Sequence, residues 1–428
     1  MEALDIAMKL LISSYACAPS RGSEHAVGWN WVTQAHCLGH QVWALVAPNH
    51  EQSILRTCEN DPDLVGIKWL FPKVPGWPLK QGIEPVWERT YNLIWQLFAA
   101  KAAYKLHTNI GFDALHHLTW GGVRAPTFLG LIGAPLIVGP LGGGETSPRS
   151  LRDGFHLKAR IAETVRDLSN NTITINPIVR PGLTSAATIF TKTPDTARIL
   201  SVSMRKKVVN FLEVGLDGER PPRPMRVPGP PRLLFAGRLL YWKGAHIAIQ
   251  SLAEVMRTAP DAQLTIVGKG KEEGRLRTAA AAHGALGNIR FVPWLPQKML
   301  FELYRTHDLF IYPSLHDSSG NVVLEALSFG LPVVCLDLGG PGQIVTPDAG
   351  AIVPAAGRDT AQAAAAMAAE IVRILQTPEL LSKLSQGAVA RAAEFTLAKR
   401  VAQFYDMVER VATTNPARPR ETVALQHP

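Results

Sequence analysis

The sequence predicts an α/β protein of two Rossmann-like domains whose parallel sheets face a central cleft. Three observations lead there. Short β-rich runs alternate with helical stretches along all 428 residues, the pattern of βαβ units. Many of these runs are apolar on both faces, as strands covered by helices on either side must be. Near the middle, Gly218–Pro231 interrupts the alternation with six prolines, too many for a helix or a central strand.

In chain order, the first half supplies strands at 8–15, 40–48, 67–71, 114–119, 134–139, 187–192 and 208–214. The second half supplies 232–238, 262–268, 289–295, 309–314 and 332–338. Glu2 and Asp5 stand where a secretory leader would be basic, so 8–15 reads as a first strand. The division is then an N-terminal domain over 1–217, a linker over 218–231 and a C-terminal domain over 232–395. A helix over 396–412 and a polar tail over 413–428 follow. Ligands of such doubly wound sheets bind outside the carboxyl ends of the strands, here in the cleft between the halves.

Composition narrows the partners. The net charge is +9, but the basic excess is spread through both halves without a recognisable module, which argues against nucleic acid. A mild affinity for phosphates or an anionic membrane fits better. Tyr91–His107 sets Trp95, Leu97 and Phe98 beside Lys101 and Lys105, an interfacial amphipathic pattern that suggests peripheral contact at the inner face of the cell membrane. The most apolar stretch, Leu129–Leu141, is cut by Gly and Pro and cannot span a bilayer. Four cysteines without a C-x-x-C pair suit a reducing, cytoplasmic setting.

Two motifs point away from common cofactors. Gly268-Lys-Gly270-Lys-Glu-Glu-Gly274 is one residue too long for a dinucleotide fingerprint and reads as a strand–helix turn. Asp61-Pro62-Asp63 is a D-x-D pair in a polar turn, read as a solvated loop rather than a metal site. No His/Cys cluster has zinc spacing, so neither cofactor nor metal is expected.

Two others point to a diphosphate. Arg238 and Lys243 follow the strand ending at Gly237, and two fixed cations there suit a diphosphate leaving group. The run 313–332 ends a strand at Ser314 and opens a helix near Asn321, so the amides at Gly320–Val322 form an anion site. Asp317 and Glu325, eight residues apart, flank that cradle and are placed for sugar and ribose hydroxyls.

Together these segments resemble the retaining glycosyltransferases of family four, which have the two-domain GT-B fold. The marks are Arg238…Lys243, Val267-Gly268-x-Gly270, and the carboxylate–seven residues–Glu spacing with its Ala-x-x-x-Gly-x-Pro run, Asp317 replacing the first Glu. Tyr15–Glu24, Gly28–Trp31, Gly39-His40, His116–Gly121 and Gly139–Glu145 are similar to a bacterial subgroup tied to surface-polysaccharide assembly. The resemblance implies that Arg238, Lys243 and the loop Gly22-Ser23 hold the donor diphosphate with Gly320 and Asn321. It implies that Glu325 binds the ribose, and that Asp317 and His117 face the transferred sugar. It also implies that the last helix crosses back to the N-terminal domain. The activity implied is transfer of a hexose from a nucleotide diphosphate sugar to a glycan or lipid-linked acceptor, with retention and without metal. A nucleotide-sugar epimerase and a non-catalytic nucleotide-sugar binder remain open as alternatives.

Overall fold

A computed structural model of the chain describes residues 7–22, 24–77, 85–218, 220–221 and 229–414. Ser23, most of the proline-rich segment and the tail from 415 lie outside the described residues.

The first half forms strands β1 (Lys9–Ser13), β2 (Gln41–Leu45), β3 (Lys68–Leu70), β4 (Ala114–His117), β5 (Leu136–Leu141), β6 (Thr188–Thr191) and β7 (Val208–Asn210). They pair in parallel in the order β3-β2-β1-β4-β5-β6-β7. The second half forms β8 (Arg232–Ala236), β9 (Gln263–Val267), β10 (Ile289–Val292), β11 (Leu309–Tyr312), β12 (Val333–Leu336) and β13 (Gly350–Val353). These are also parallel, in the order β10-β9-β8-β11-β12-β13. Both orders place the first strand of each half beside the topological switch, where the carboxyl ends open a crevice.

The twelve expected strands are all present, shorter than their apolar runs. Only β13 lacked a sequence signal. It opens on Gly350, where a Cβ would sit 1.9 Å from the Val333 carbonyl oxygen. Glycine is required by the close backbone approach, and it dilutes the strand propensity of a four-residue run.

Both faces of the N-terminal sheet are covered. On one, Tyr91, Trp95, Ala99 and Ala103 of helix Pro85–Ile110 are buried beside Leu11, Leu115 and Val138. The apolar stripe of Tyr91–His107 therefore faces the core, and Trp95 is sealed with its indole donating to the Pro72 carbonyl at 2.9 Å. An interfacial role for that stripe is excluded by this packing, since only Leu97 and Tyr104 stay exposed among its large apolar residues. On the other face, Val401, Phe404, Tyr405 and Val408 of the last helix, Leu397–Thr414, pack with Leu10, Ile12 and Trp31. The chain thus returns from its second half to cover the first.

A second crossing runs the other way. Leu151, Phe155 and Ala159, from the first half, are buried in the core built around β8, β9 and β11. Among the described residues, no helix is long and apolar enough to cross a membrane.

Candidate functional site

The site grows from three chain segments that end β8, β11 and β6. After β8, Gly237 and Arg238 lead to a short turn at Tyr241–Lys243. Arg238 is exposed, with no carboxylate within ion-pair distance among the described residues. Lys243 instead turns inward, 2.6 Å from Asp317 and 2.9 Å from the Tyr312 hydroxyl. Tyr312 also donates to Asp317 at 2.7 Å. Burial alone would raise the Asp317 pKa, but the Lys243 ammonium and the Tyr312 hydroxyl outweigh it and hold the carboxyl below its ordinary value. The two residues expected to act separately, one on the diphosphate and one on the sugar, are therefore paired with each other.

After β11 the loop 313–320 leads into helix Asn321–Ser328, capped by Gly320 in the left-handed region at φ 76°. The first amides of a helix lack partners within it and attract anions. One turn in, Glu325 accepts from Gln297 at 3.1 Å and from Tyr304 at 3.2 Å. Burial raises its pKa above the ordinary value, against the pull of those donors and of Arg220. A carboxyl so held is ready to accept from hydroxyl groups.

Two of the cavities between the domains are lined by these loops. The larger, about 480 Å³, is lined from one side by Arg21, Gly22 and Asn30 and from the other by Asn321 and Glu325. Gly22, Asn321 and Glu325 are thus brought together as the sequence indicated. The same cavity gathers Arg21, Arg220 and Gln297, to which the sequence alone assigned no role. The smaller, about 260 Å³, is lined by Glu24, Leu118, Gly121, Gly143, Lys192, Glu213, Ser319 and Asn321, among others. Lys192, just past β6, is the cation here that sequence reasoning missed. It forms a close ion pair with Glu213 and lies 3.4 Å from the Ser319 hydroxyl across the cleft. Burial would lower its pKa, but Glu213 overrides this and raises it, so Lys192 stays charged.

His117 ends β4 and is 1% exposed; it lines neither cavity, whereas the next residue, Leu118, lines the smaller one. Burial brings its pKa down to about 4, with slight relief from the Trp120 backbone, and neither ring nitrogen has a well-formed hydrogen bond. His116 points to the opposite face, where it bonds Tyr405 at 3.0 Å and the Gly139 carbonyl at 2.8 Å and stacks on Phe404. It anchors the returning helix.

Glu163, which no motif marked, braces the donor-side loops from the first half of the chain. It is fully buried in helix Leu157–Asn171. It accepts from the Tyr241 hydroxyl at 3.1 Å and the Ser147 amide at 3.0 Å, and His316 Nε2 lies 3.1 Å from its Oε1. Tyr241 sits in the Arg238–Lys243 turn and His316 precedes Asp317, so one carboxylate fixes both loops. Burial works to raise its pKa, yet His316, Ser147 and Tyr241 together bring it down to about 2.

The other motifs resolve structurally. A Cβ on Gly268 or Gly270 would fall within about 2 Å of backbone oxygens of Gly237 or Leu239, so these glycines let two strand ends pack. Asp61 caps a short turn by accepting from the Asp63 amide at 3.1 Å.

With this geometry described, comparison with known proteins is informative. Residues 221–391 match the family of glycosyl transferases group 1. A glycogen synthase of Mycobacterium tuberculosis is 34% identical over 204 residues, 46% of this chain and 48% of that protein. A D-inositol 3-phosphate glycosyltransferase of Segniliparus rotundus is 31% identical over 189 residues, 43% of this chain and 38% of that protein. The chain therefore spans about half the length of the curated relatives it matches, or less. The solved structure of Anabaena HepE in complex with UDP covers 94% of this chain and 100% of its own, with a TM-score of 0.59 at 14% identity. The two-domain fold is GT-B, and the match to the group 1 family lies over the linker and the C-terminal half.

Proposed function

We propose that this chain transfers a hexose from a nucleotide diphosphate sugar to a hydroxyl of a glycan or lipid-linked acceptor in polysaccharide synthesis, with retention at the anomeric carbon. The observation that carries this reading is the larger cavity, where Gly22 and Arg21 of one domain face Asn321 and Glu325 of the other. A helix start, two cations and a carboxylate meet there, a set suited to a nucleoside diphosphate. Glu325 would take the ribose hydroxyls, and the amides at Gly320 and Asn321, with the exposed Arg238, the phosphates. Lys243 would be drawn from Asp317 toward the leaving phosphate, freeing Asp317 for the sugar. HepE is named as a complex with UDP, which favours a uridine donor.

In this scheme the protein aligns donor and acceptor and neutralises charge as the sugar–phosphate bond breaks. Side-chain cations do that work, so no metal is invoked. Lys192 adds a positive charge from the N-terminal side.

Thermal unfolding with UDP-, GDP- and ADP-sugars tests the assignment, because bound donor stabilises the fold by mass action. One donor class should raise the melting temperature, and adding a glycan acceptor should release the nucleotide diphosphate. No stabilisation by any of them would refute the reading. Turnover of donor without acceptor into an isomeric sugar would identify an epimerase instead.

A further inference from the structure

We propose that the outward face of helix Leu157–Asn171 is a docking surface for an anionic lipid bilayer. Leu157, Ile161, Val165 and Leu168 each leave more than half of their surface exposed. At 100° per residue they fall within an arc of about 80°. Ile175 and Ile178, also exposed, extend the apolar surface beyond the helix end. Single exposed apolar residues are ordinary, whereas six along one helix and the turn after it form a patch that needs a partner.

Charge selects the partner. The helix carries two carboxylates, and both turn away from this face. Glu163 is buried against Tyr241 and His316, and Asp167 pairs with Arg152 at 2.8 Å. Lys158 and Arg160 flank the stripe and Arg180 follows it, all exposed. None of the three lies within ion-pair distance of a carboxylate among the described residues. Arg160 is steadied by the carbonyls of Arg152, Asp153 and Phe155, so its guanidinium stays on the flank. An apolar stripe whose flanking charges are cations matches apolar insertion with headgroup contact. A second copy fits worse, because two-fold pairing would bring the same cation-flanked face against itself, with neither carboxylate of the helix turned toward it.

The position adds a consequence. The opposite face of this helix holds the loops of Lys243 and Asp317 through Glu163, so a bilayer on the outward face lies roughly one helix diameter, about 10 Å, from them.

The test is flotation of the full-length protein with phosphatidylcholine vesicles and with vesicles that also contain phosphatidylglycerol. The parent should float with the mixed vesicles and release them as salt rises. Ile161→Asp with Leu168→Asp should lower that binding at least tenfold, and Lys158→Glu with Arg180→Glu should weaken it on mixed vesicles. Leu97→Asp, on the other exposed helix, should float as the parent does. If an acidic variant misfolds by circular dichroism, Ile161→Cys carrying a polarity-sensitive dye should shift to the blue on mixed vesicles. A parent that stays unbound, double variants that float unchanged, a dye that does not respond, or a parent dimer that Ile161→Asp and Leu168→Asp dissolve would each overturn the proposal. None of these readouts depends on the transfer reaction.

Discussion

Glu163→Gln removes one charge from the carboxylate that braces both donor-side loops and leaves its size unchanged. Breaking a buried charged network by removing one member costs about 3–5 kcal/mol. The pKa gives an independent figure. A fall from 4.5 to about 2, at about 1.4 kcal/mol per unit, amounts to about 3 kcal/mol. For a domain of this size each kcal/mol moves the melting temperature by about 2–4 °C, so the variant should melt about 6–12 °C lower at pH 7. The sign with pH is fixed by the direction of the shift. Glu163 is more acidic when folded, so its contribution is complete above its unfolded value of 4.5 and is withdrawn as pH falls toward 2. Calorimetry from pH 7 to 2.5 should show parent and variant converging in that window. Donor KM should also rise more than kcat falls, because loosened loops cost binding before chemistry. A variant that melts within a degree of the parent at pH 7, with a parallel pH profile, would refute the bracing role.

Arg238→Ala and Lys243→Ala should each lower turnover by ~10²–10³ in a donor-consumption assay with fold checked by circular dichroism, and near-normal rates would remove both from the site. Glu325→Ala should weaken the bare nucleoside diphosphate by about tenfold in titration calorimetry, since it loses a charged acceptor; unchanged affinity would move the ribose elsewhere. Asp317→Ala should lose at least ~10-fold in kcat/KM without weakening the bare diphosphate, because Lys243 is then released from its partner. Activity equal to the parent with a lower melting temperature would make Asp317 purely structural. EDTA should leave initial rates within about twofold, where strict dependence on Mn²⁺ or Mg²⁺ would contradict cation-only stabilisation.

The strand alternation was legible because parallel strands must be apolar on both faces, and runs such as Leu233–Ala236 and Leu309–Tyr312 have few other uses. The cradle at Gly320 and Asn321 was legible for a similar reason, since a strand end, a glycine and a helix start occur within a few residues. Orientation was not legible. The apolar stripe of Tyr91–His107 suits a core or a membrane equally well, and only the position of the sheet against Trp95 decides. Adjacent His116 and His117 had to face opposite ways, but strand order and the returning helix determined that both are buried. Lys243 and Asp317 are 74 positions apart, and Glu163 and Tyr241 78, so their pairing belongs to the fold.

Those long-range pairs also constrain how the cleft can close. Leu151, Phe155 and Ala159 lie in the C-terminal core, and Asp153 and His156 bond Thr360 and Glu272 from the same side. The start of helix Leu157–Asn171 is therefore tied to the donor half, while at its end Arg124 of the first half bonds Ser169 and Asn170 bonds the Gly144 carbonyl. A hinge placed only in the proline-rich segment would tear Glu163 from Tyr241 and strip both donor loops of their brace. Closure that keeps the brace intact must carry Glu163 with the C-terminal domain, which strains the bonds from Arg124 and Gly144 to the end of its helix. The returning helix adds an opposite restraint, since Phe404 and Tyr405 are held to the N-terminal sheet by His116. Its flexible point must then lie near Thr396, which bridges to Leu216 beside the linker. Motion between the domains is thus shared among four connections: the two ends of 149–171, the proline-rich segment and the stretch near Thr396.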